Sequence, residues 1–295
     1  MKIVVAGPGL MGSQIGAEFA IGGHDVVYLV NRPEEAERRV NAAFDLAATL
    51  DLWPAEAVSS GRDQISFAAN VDEPDPATEL FVESIVEERG AKLALIQQAA
   101  ARLPNAIIGS NTSSIRIAEL GEGGGAPERT LGLHYWNPPL LMPLVEVISG
   151  PRTDPARVER VASEVRGIGK RPMVVDRDVP GFVWNRLQLA LLREAVWIVE
   201  NGVTSPEVVD EIVRDGLARR WRYTGPFATA ALGGPATFTK VAANLWPVLS
   251  TATELENLAQ WLRHSPEALA EIKAARDAGL LKDLKRDRAR EEAGS

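Results

Sequence analysis

Lys2-Ile3-Val4-Val5-Ala6-Gly7-Pro8-Gly9-Leu10-Met11-Gly12 is the segment from which the rest of the chain can be read. Lys2 to Ala6 is a short apolar run. Behind the glycines, Met11, Ile15 and Phe19 recur every four residues, the spacing of one buried helix face. The order is strand, turn, helix. In that setting Gly7 permits the turn, Gly9 lets backbone approach a pyrophosphate, and Gly12 lets helix and strand pack closely. Leu10, Met11 and Gly12 open the helix, where unpaired amides and the helix dipole favour a diphosphate. A dinucleotide is the expected ligand, against the plainer alternative of a structural glycine turn.

Working outward, Gly22-Gly23 ends the helix, and Asp25 to Val30 is a second β-branched run that closes a βαβ unit. Pro33 suits the first position of a charged helix. Further apolar runs at Leu80 to Glu83, Ala106 to Ser110, Leu131 to Leu133 and Leu144 to Ile148 alternate with helical stretches such as Glu87 to Leu103. A helix opened by Asp154-Pro155 leads to a last strand near Arg171 to Val175. This alternation predicts an α/β fold, a parallel, doubly wound sheet with helices on both faces. After Asp178-Val179-Pro180-Gly181 the pattern turns helical, with one stripe at Leu187, Leu191, Val196 and Val199 and another at Val208, Ile212 and Leu217. The predicted domains are a Rossmann-type dinucleotide-binding domain over residues 1–178 and a smaller all-α domain over 179–295. The charge-dense tail from about residue 283 is expected to fray.

Composition narrows the function. The 295 residues carry 32 Lys+Arg against 40 Asp+Glu, a formal net charge of −8, which argues against an obligate nucleic-acid or anionic-membrane surface. With no cysteine there is no disulfide, thiolate metal site or thiol nucleophile, and 3 histidines leave little for a histidine cage, so no metal is expected. No apolar run approaches the roughly 18 residues of a membrane helix, because Arg193 and Glu194 interrupt the longest candidate. The strand that begins at once leaves no room for a signal peptide. A soluble, cytoplasmic protein acting on a small molecule is expected.

Two details refine the ligand and the chemistry. A carboxylate about twenty residues beyond the glycine loop usually binds the ribose hydroxyls of NAD, yet the second strand ends Leu29-Val30-Asn31-Arg32 and no acid occurs before Glu34. Arg32 can pair with a 2′-phosphate in a forked geometry and Asn31 can donate to it, which favours NADP(H) over NAD(H). The alternative is that Arg32 is a solvated surface residue. Of the histidines, His24 lies in the polar turn before the second strand and His264 in an Arg-His-Ser-Pro helix terminus, and both read as structural. His134 follows the apolar run Leu131-Gly132-Leu133, at a strand end where open α/β sheets bind ligands. Glu146, within Leu144 to Ile148, is an acid that needs a partner if buried, and a His–Glu pair would satisfy it.

Four segments then fall in order: Ser110-Asn111-Thr112-Ser113-Ser114, His134-Tyr135-Trp136-Asn137-Pro138, Leu144-Val145-Glu146-Val147-Ile148 and Pro180-Gly181-Phe182-Val183-Trp184-Asn185-Arg186. Together they resemble the successive signatures of the 3-hydroxyacyl-CoA dehydrogenase family, over residues 1 to about 230. The resemblance implies a nicotinamide-dependent dehydrogenase in which His134 takes the substrate hydroxyl proton and Glu146 orients the imidazole. It implies that Ser113 and Asn185 hydrogen-bond the reacting oxygen or hold the dyad. It also implies that Asn111 and Asn137 contact the cofactor, Asn137 at its nicotinamide half, and that Glu87 and Lys92 touch the dinucleotide. The plainer reading of the last two is a solvated pair on a helix. A homodimer through the helical domain is the expected assembly.

The family resemblance leaves the substrate open between acyl-CoA thioesters and free 3-hydroxy acids. Tyr135-Trp136 before Asn137-Pro138-Pro139, and Gly216 to Pro226, are more similar to the free-acid branch of L-gulonate and carnitine dehydrogenases and the lens λ-crystallin. There an arginine five residues before Gly-Pro faces the substrate carboxylate, and Arg220 stands at the matching place, unless Arg219, Arg220 and Arg222 are simply a solvated turn. The helix after the second strand begins Glu34-Glu35-Ala36-Glu37-Arg38-Arg39, without the lysines that the polyanionic coenzyme A would favour. A different class of reading is a non-catalytic dinucleotide-binding protein, whose hallmark would be loss of Ser113, His134, Glu146 or Asn185. All four are present.

Overall fold

β1 (Lys2–Ala6) is apolar on both faces because both faces are covered. Ile3 and Val5 enter one buried cluster, Val4 and Ala6 another, and none of the four is more than 2% exposed. The computed structural model describes residues 1–254 and 258–294 of the chain. After β1 come α1 (Leu10–Ile21), β2 (Asp25–Leu29), α2 (Pro33–Leu50), α3 (Ala55–Asp63), β3 (Ile65–Ala68) and β4 (Leu80–Glu83). Then follow α4 (Arg89–Arg102), β5 (Ile107–Ser110), α5 (Ile117–Gly123), β6 (Thr130–Tyr135), β7 (Leu144–Ser149), α6 (Pro155–Gly167) and β8 (Arg171–Val175). The first cluster packs Phe19 of α1, Phe44 of α2 and Val161 of α6 against one sheet face, and the second packs Ile96 of α4 and Leu120 of α5 against the other. Phe19 and Phe44 are fully buried, each contributing about 1.5–3 kcal/mol of apolar transfer.

The eight strands lie in the order β3-β2-β1-β4-β5-β6-β7-β8. The order reverses direction between β1 and β4, the switch point at which open α/β sheets bind nucleotides. All pairings are parallel except β6 with β7. The fully parallel sheet expected from the alternation is corrected there. Residues 136–143 join the two strands, and a parallel crossover takes roughly a dozen residues or more, so this connection can only return the chain antiparallel. β3 also escaped the sequence reading, since Ser66 and Phe67 are both exposed and leave no apolar run to detect.

The described chain divides into two compact units, Met1–Val183 together with the segment from Ala270 onward, and Trp184–Leu269. The second unit holds α7 (Trp184–Glu200), α8 (Pro206–Glu211), a π-helical stretch (Ile212–Ala218) that runs into α9 (Arg219–Leu232), then α10 (Pro235–Leu245) and α11 (Leu258–Trp261). Its apolar stripes are only partly covered: Val196 is buried, whereas Leu187, Val208 and Ile212 are exposed. α12 (Pro266–Gly294) alters the expected domain plan. Its Leu284 is buried in the first cluster of the α/β unit, Lys285 pairs with Asp51 at 3.1 Å, and the Arg288 guanidinium lies 5.4 Å from the Trp53 ring. The segment read as a frayed tail is therefore helical and anchored, because its charge-dense sequence hides one apolar stripe at Leu280, Leu281 and Leu284. Ser295, the last residue of that tail, lies outside the described residues.

Candidate active site

The turn between β1 and α1 is built by sterics. Gly7 adopts φ +85°, and a Cβ on Gly12 would sit 2.2 Å from the Gly7 carbonyl oxygen, so helix and turn meet with no room for a side chain. Gly9 differs. A Cβ there would meet only the Arg39 guanidinium at 3.8 Å, so its surface faces open space. That space is a cleft of about 650 Å³ lined by Gly7, Pro8, Gly9, Asn31, Arg32 and Arg39, among others. A backbone stripped of side chains at the head of a helix, opening on a cleft, fits a pyrophosphate. Leu10 is exposed and Met11 half-buried at the first turn of α1. At the end of β2 the Arg32 side chain is 84% exposed and pairs loosely with Glu35 at 3.5 Å. Arg39, one turn further along α2, donates to the other Glu35 oxygen at 2.6 Å. The sequence reading had no reason to select Arg39 and Glu35 from a charged helix. Their signal was position alone, Glu35 in the first turn of α2 after β2 and Arg39 one turn on.

The antiparallel register sets His134 of β6 directly opposite Glu146 of β7. Both are buried, 3% and 2% exposed. His134 Nδ1 lies 2.7 Å from Glu146 Oε2, and His134 Nε2 lies 3.2 Å from the Ser113 hydroxyl. The carboxylate has further donors, the Val183 amide to Oε1 at 3.1 Å and the Trp136 indole N–H to Oε2 at 3.4 Å. The Phe182 ring meets the imidazole edge to face at 5.5 Å between centroids. Trp136 thus supports the carboxylate. Neither it nor the Val183 amide could be assigned to Glu146 from sequence, because both contacts depend on how the chain turns after β6 and β8.

Ser113 stands on the loop after β5, which Glu87 organises. Glu87 Oε1 accepts from the Thr112 and Ser114 hydroxyls, each at 2.7 Å, and from the Ser113 and Ser114 amides, each at 2.9 Å. Partial burial opposes its ionisation, but these donors and the Lys92 ammonium together hold its carboxyl down at about 2. Glu87 precedes the N-cap Glu88 of α4 and is not helical, so the pair with Lys92 is no i,i+5 helix contact. Nor is Lys92 solvated. It is 1% exposed, donates to the fully buried Glu83 at 2.6 Å and lies 3.3 Å from Glu87. Glu83, at the end of β4, also accepts from Ser110 at 2.5 Å and from the Ile85 amide at 2.8 Å. Asn111 bridges two strand ends, accepting from the Tyr135 amide at 2.8 Å and donating to Ser84 at 3.2 Å. Asn137 follows β6, exposed, with a cis bond to Pro138.

Asn185, near the start of α7, and Arg220, in the first turn of α9, belong to the second unit. Arg220 is exposed. Among the described residues no group of three or more His, Asp or Glu side chains could hold a metal ion, and no helix is long and apolar enough to cross a membrane.

The fold and the glycine-lined cleft together are those of a dinucleotide-dependent oxidoreductase. The family model for the 3-hydroxyacyl-CoA dehydrogenase NAD binding domain matches residues 2–179, and that for the 3-hydroxyacyl-CoA dehydrogenase C-terminal domain matches residues 181–269. The chain belongs to this family of NAD-dependent enzymes of CH–OH groups. It is 33% identical to 5-formyl-3-hydroxy-2-methylpyridine 4-carboxylate 5-dehydrogenase of Mesorhizobium japonicum, over 86% of this chain and 82% of that protein. It is 36% identical to L-carnitine dehydrogenase of Pseudomonas putida, over 77% of this chain and 71% of the relative. A crystal structure of a 5-formyl-3-hydroxy-2-methylpyridine 4-carboxylic acid 5-dehydrogenase, described as an NAD+-dependent dismutase, superposes with a TM-score of 0.86 at 30% identity, covering 96% of this chain and 97% of that one. These relatives stand in the free hydroxy-acid branch of the family.

Proposed function

We propose that the protein transfers hydride between the carbinol carbon of a free L-3-hydroxy acid and a nicotinamide dinucleotide, with His134 as general base in oxidation and general acid in reduction. The observation that carries this reading is the 2.7 Å contact of His134 Nδ1 with Glu146, which leaves Nε2 at the other end of the ring, facing the Ser113 hydroxyl. A carboxylate at Nδ1 selects the tautomer with its proton there, so Nε2 offers the lone pair that accepts a hydroxyl proton. Glu146 stabilises the imidazolium that results. Ser113, held by Glu87, hydrogen-bonds the reacting oxygen. The bound nicotinamide supplies the hydride acceptor. Gly7, Gly9, Leu10, Met11 and Gly12 hold the diphosphate, and Asn111, Asn137, Glu87 and Lys92 serve the nicotinamide side, the last by fixing Glu87. Asn185 and Arg220 enter by family resemblance, Asn185 at the reacting oxygen and Arg220 as the anchor of the substrate carboxylate.

The free acid is supported by relatives named for a pyridine carboxylate and for carnitine, both of which carry a carboxylate, and by an α2 without lysine. The 3-hydroxyacyl-CoA thioester is the second reading, favoured by the family description itself. For the cofactor, the charged residues lining the cleft near the end of β2 are Arg32 and Arg39 against Glu35, an excess of one positive charge that supports NADP(H) over NAD(H), while Glu35 and the neighbouring Glu34 oppose a 2′-phosphate. The exposed apolar side chains of the second unit support a homodimer. A cytoplasmic location goes with a soluble nicotinamide enzyme.

The test is an absorbance assay with NAD+ or NADP+ and four substrates: L-carnitine, L-gulonate, (S)-3-hydroxybutyrate and (S)-3-hydroxybutyryl-CoA. Turnover of a free acid at a kcat/KM at least ~10-fold above that of the thioester is expected. Turnover of the thioester alone overturns the substrate assignment, and turnover of none with dinucleotide still bound favours the non-catalytic reading. A fluorescence titration with NADPH and NADH decides the cofactor, and a clear NADH preference contradicts the role given to Arg32.

A further inference from the structure

Lys170 precedes β8, is 6% exposed, and takes no part in the chemistry above. Its ammonium donates to the carbonyls of Pro139 at 2.6 Å and Met142 at 2.8 Å, both in the turn that joins β6 to β7. It also forms an ion pair at 2.6 Å with Glu18 Oε1 of α1, itself 1% exposed. One helical turn nearer the glycine loop, Gln14 accepts from the Leu140 amide at 3.3 Å. α1 is therefore tied to the 138–142 turn at two points, directly through Gln14 and by way of Lys170 through Glu18.

Burying an ammonium is unfavourable where an apolar side chain would fill the same space, so three acceptors converging on one lysine ask for a reason beyond packing. Burial lowers the Lys170 pKa and raises that of the Glu18 carboxyl in spite of the adjacent cation. On the proposed function, the two elements joined serve the pyrophosphate and the nicotinamide half of the cofactor. α1 presents the amides that take the pyrophosphate, and the turn follows directly on His134, Tyr135, Trp136 and Asn137.

We propose that Lys170 is a positioning residue for the nicotinamide half of the cofactor, holding the 138–142 turn against α1 so that Asn137 and the end of β6 keep a fixed distance from the pyrophosphate site. This rests on the assignment of Asn137 to the nicotinamide side. It predicts that loosening the tie spoils the nicotinamide half and spares the adenine half.

The experiment compares ADP-ribose, which lacks nicotinamide, with NADH on the full-length protein. The double variant Lys170→Met/Glu18→Gln removes both buried charges together. Its ADP-ribose Kd is expected to stay within about twofold of wild type, while its NADH Kd rises about tenfold and the fluorescence enhancement of bound NADH is lost. Glu18→Gln alone, whose amide oxygen still accepts from Lys170, is expected to keep the enhancement. If the double variant does not fold, Gln14→Leu, which loses only the Leu140 contact, reads the same split at about threefold. Wild-type NADH affinity and enhancement in a folded double variant, or no split in Gln14→Leu, would reduce Lys170 to a structural residue and overturn the proposal. A wild-type protein that binds ADP-ribose but shows no enhancement with NADH refutes instead the placement of the nicotinamide near Asn137.

Discussion

Glu146 is a carboxylate buried in the α/β unit. A carboxylate 2% exposed is costly unless donors surround it, and His134, Trp136 and the Val183 amide all do so. The need for a partner was readable from an acid inside an apolar run, and His134 was the nearest candidate. The other two donors were not readable, because neither lies at a spacing that any regular element would impose. Glu87 gives a pH prediction. Its carboxyl is held at about 2 in the folded state against an ordinary 4.5. A depressed acid stabilises the fold fully above the ordinary value, and that contribution fades as pH falls from about 4.5 toward 2. In urea titrations, wild type should therefore be more stable than Glu87→Gln at pH ~6, with the gap narrowing steadily toward pH ~3. A gap independent of pH would show that the serine loop does not depend on this charge.

At the scale of elements, the glycine turn separates fold from binding. Gly12→Ala places a methyl against the Gly7 carbonyl, and a loss of at least ~2 kcal/mol in chemical denaturation is expected. Gly9→Ala points into the open cleft, so its stability should change by less than ~0.5 kcal/mol while the dinucleotide Kd rises at least ~10-fold. Equal affinity in Gly9→Ala and wild type would contradict the pyrophosphate site. The apolar runs marked β1, β2, β4, β5, β6 and β7, whose residues are mostly buried, and their positions were legible for that reason; β8 was legible from its apolar composition alone, since much of it is exposed. β3 was not, since half of it is solvent-exposed and it is defined only by pairing with β2. The direction of β7 was legible in principle from the short 136–143 connection. It matters more than any boundary, because only the antiparallel register sets His134 opposite Glu146. The apolar stripe of α12 was masked by its density of charge.

At the scale of the whole molecule, the second unit exposes several large apolar side chains. Phe227 is 90% exposed, Leu232 79%, Trp246 72% and Tyr223 71%. Light scattering should give about twice the 31.8 kDa chain mass. Phe227→Glu combined with Leu232→Glu, both on α9, should shift the protein toward monomer, and a monomeric wild type at micromolar concentration would refute the dimer. The glycine-lined cleft after β1 and β2 and the His134 imidazole braced by Glu146 belong to one α/β unit, and hydride transfer requires both. Its most direct measurement is the turnover of His134→Ala on whichever hydroxy acid the wild type oxidises, taken together with NADH affinity by fluorescence. A fall in kcat of about 10²–10⁴-fold with NADH affinity held within about twofold is predicted. Turnover within a few fold of wild type in a variant that still binds NADH would contradict it.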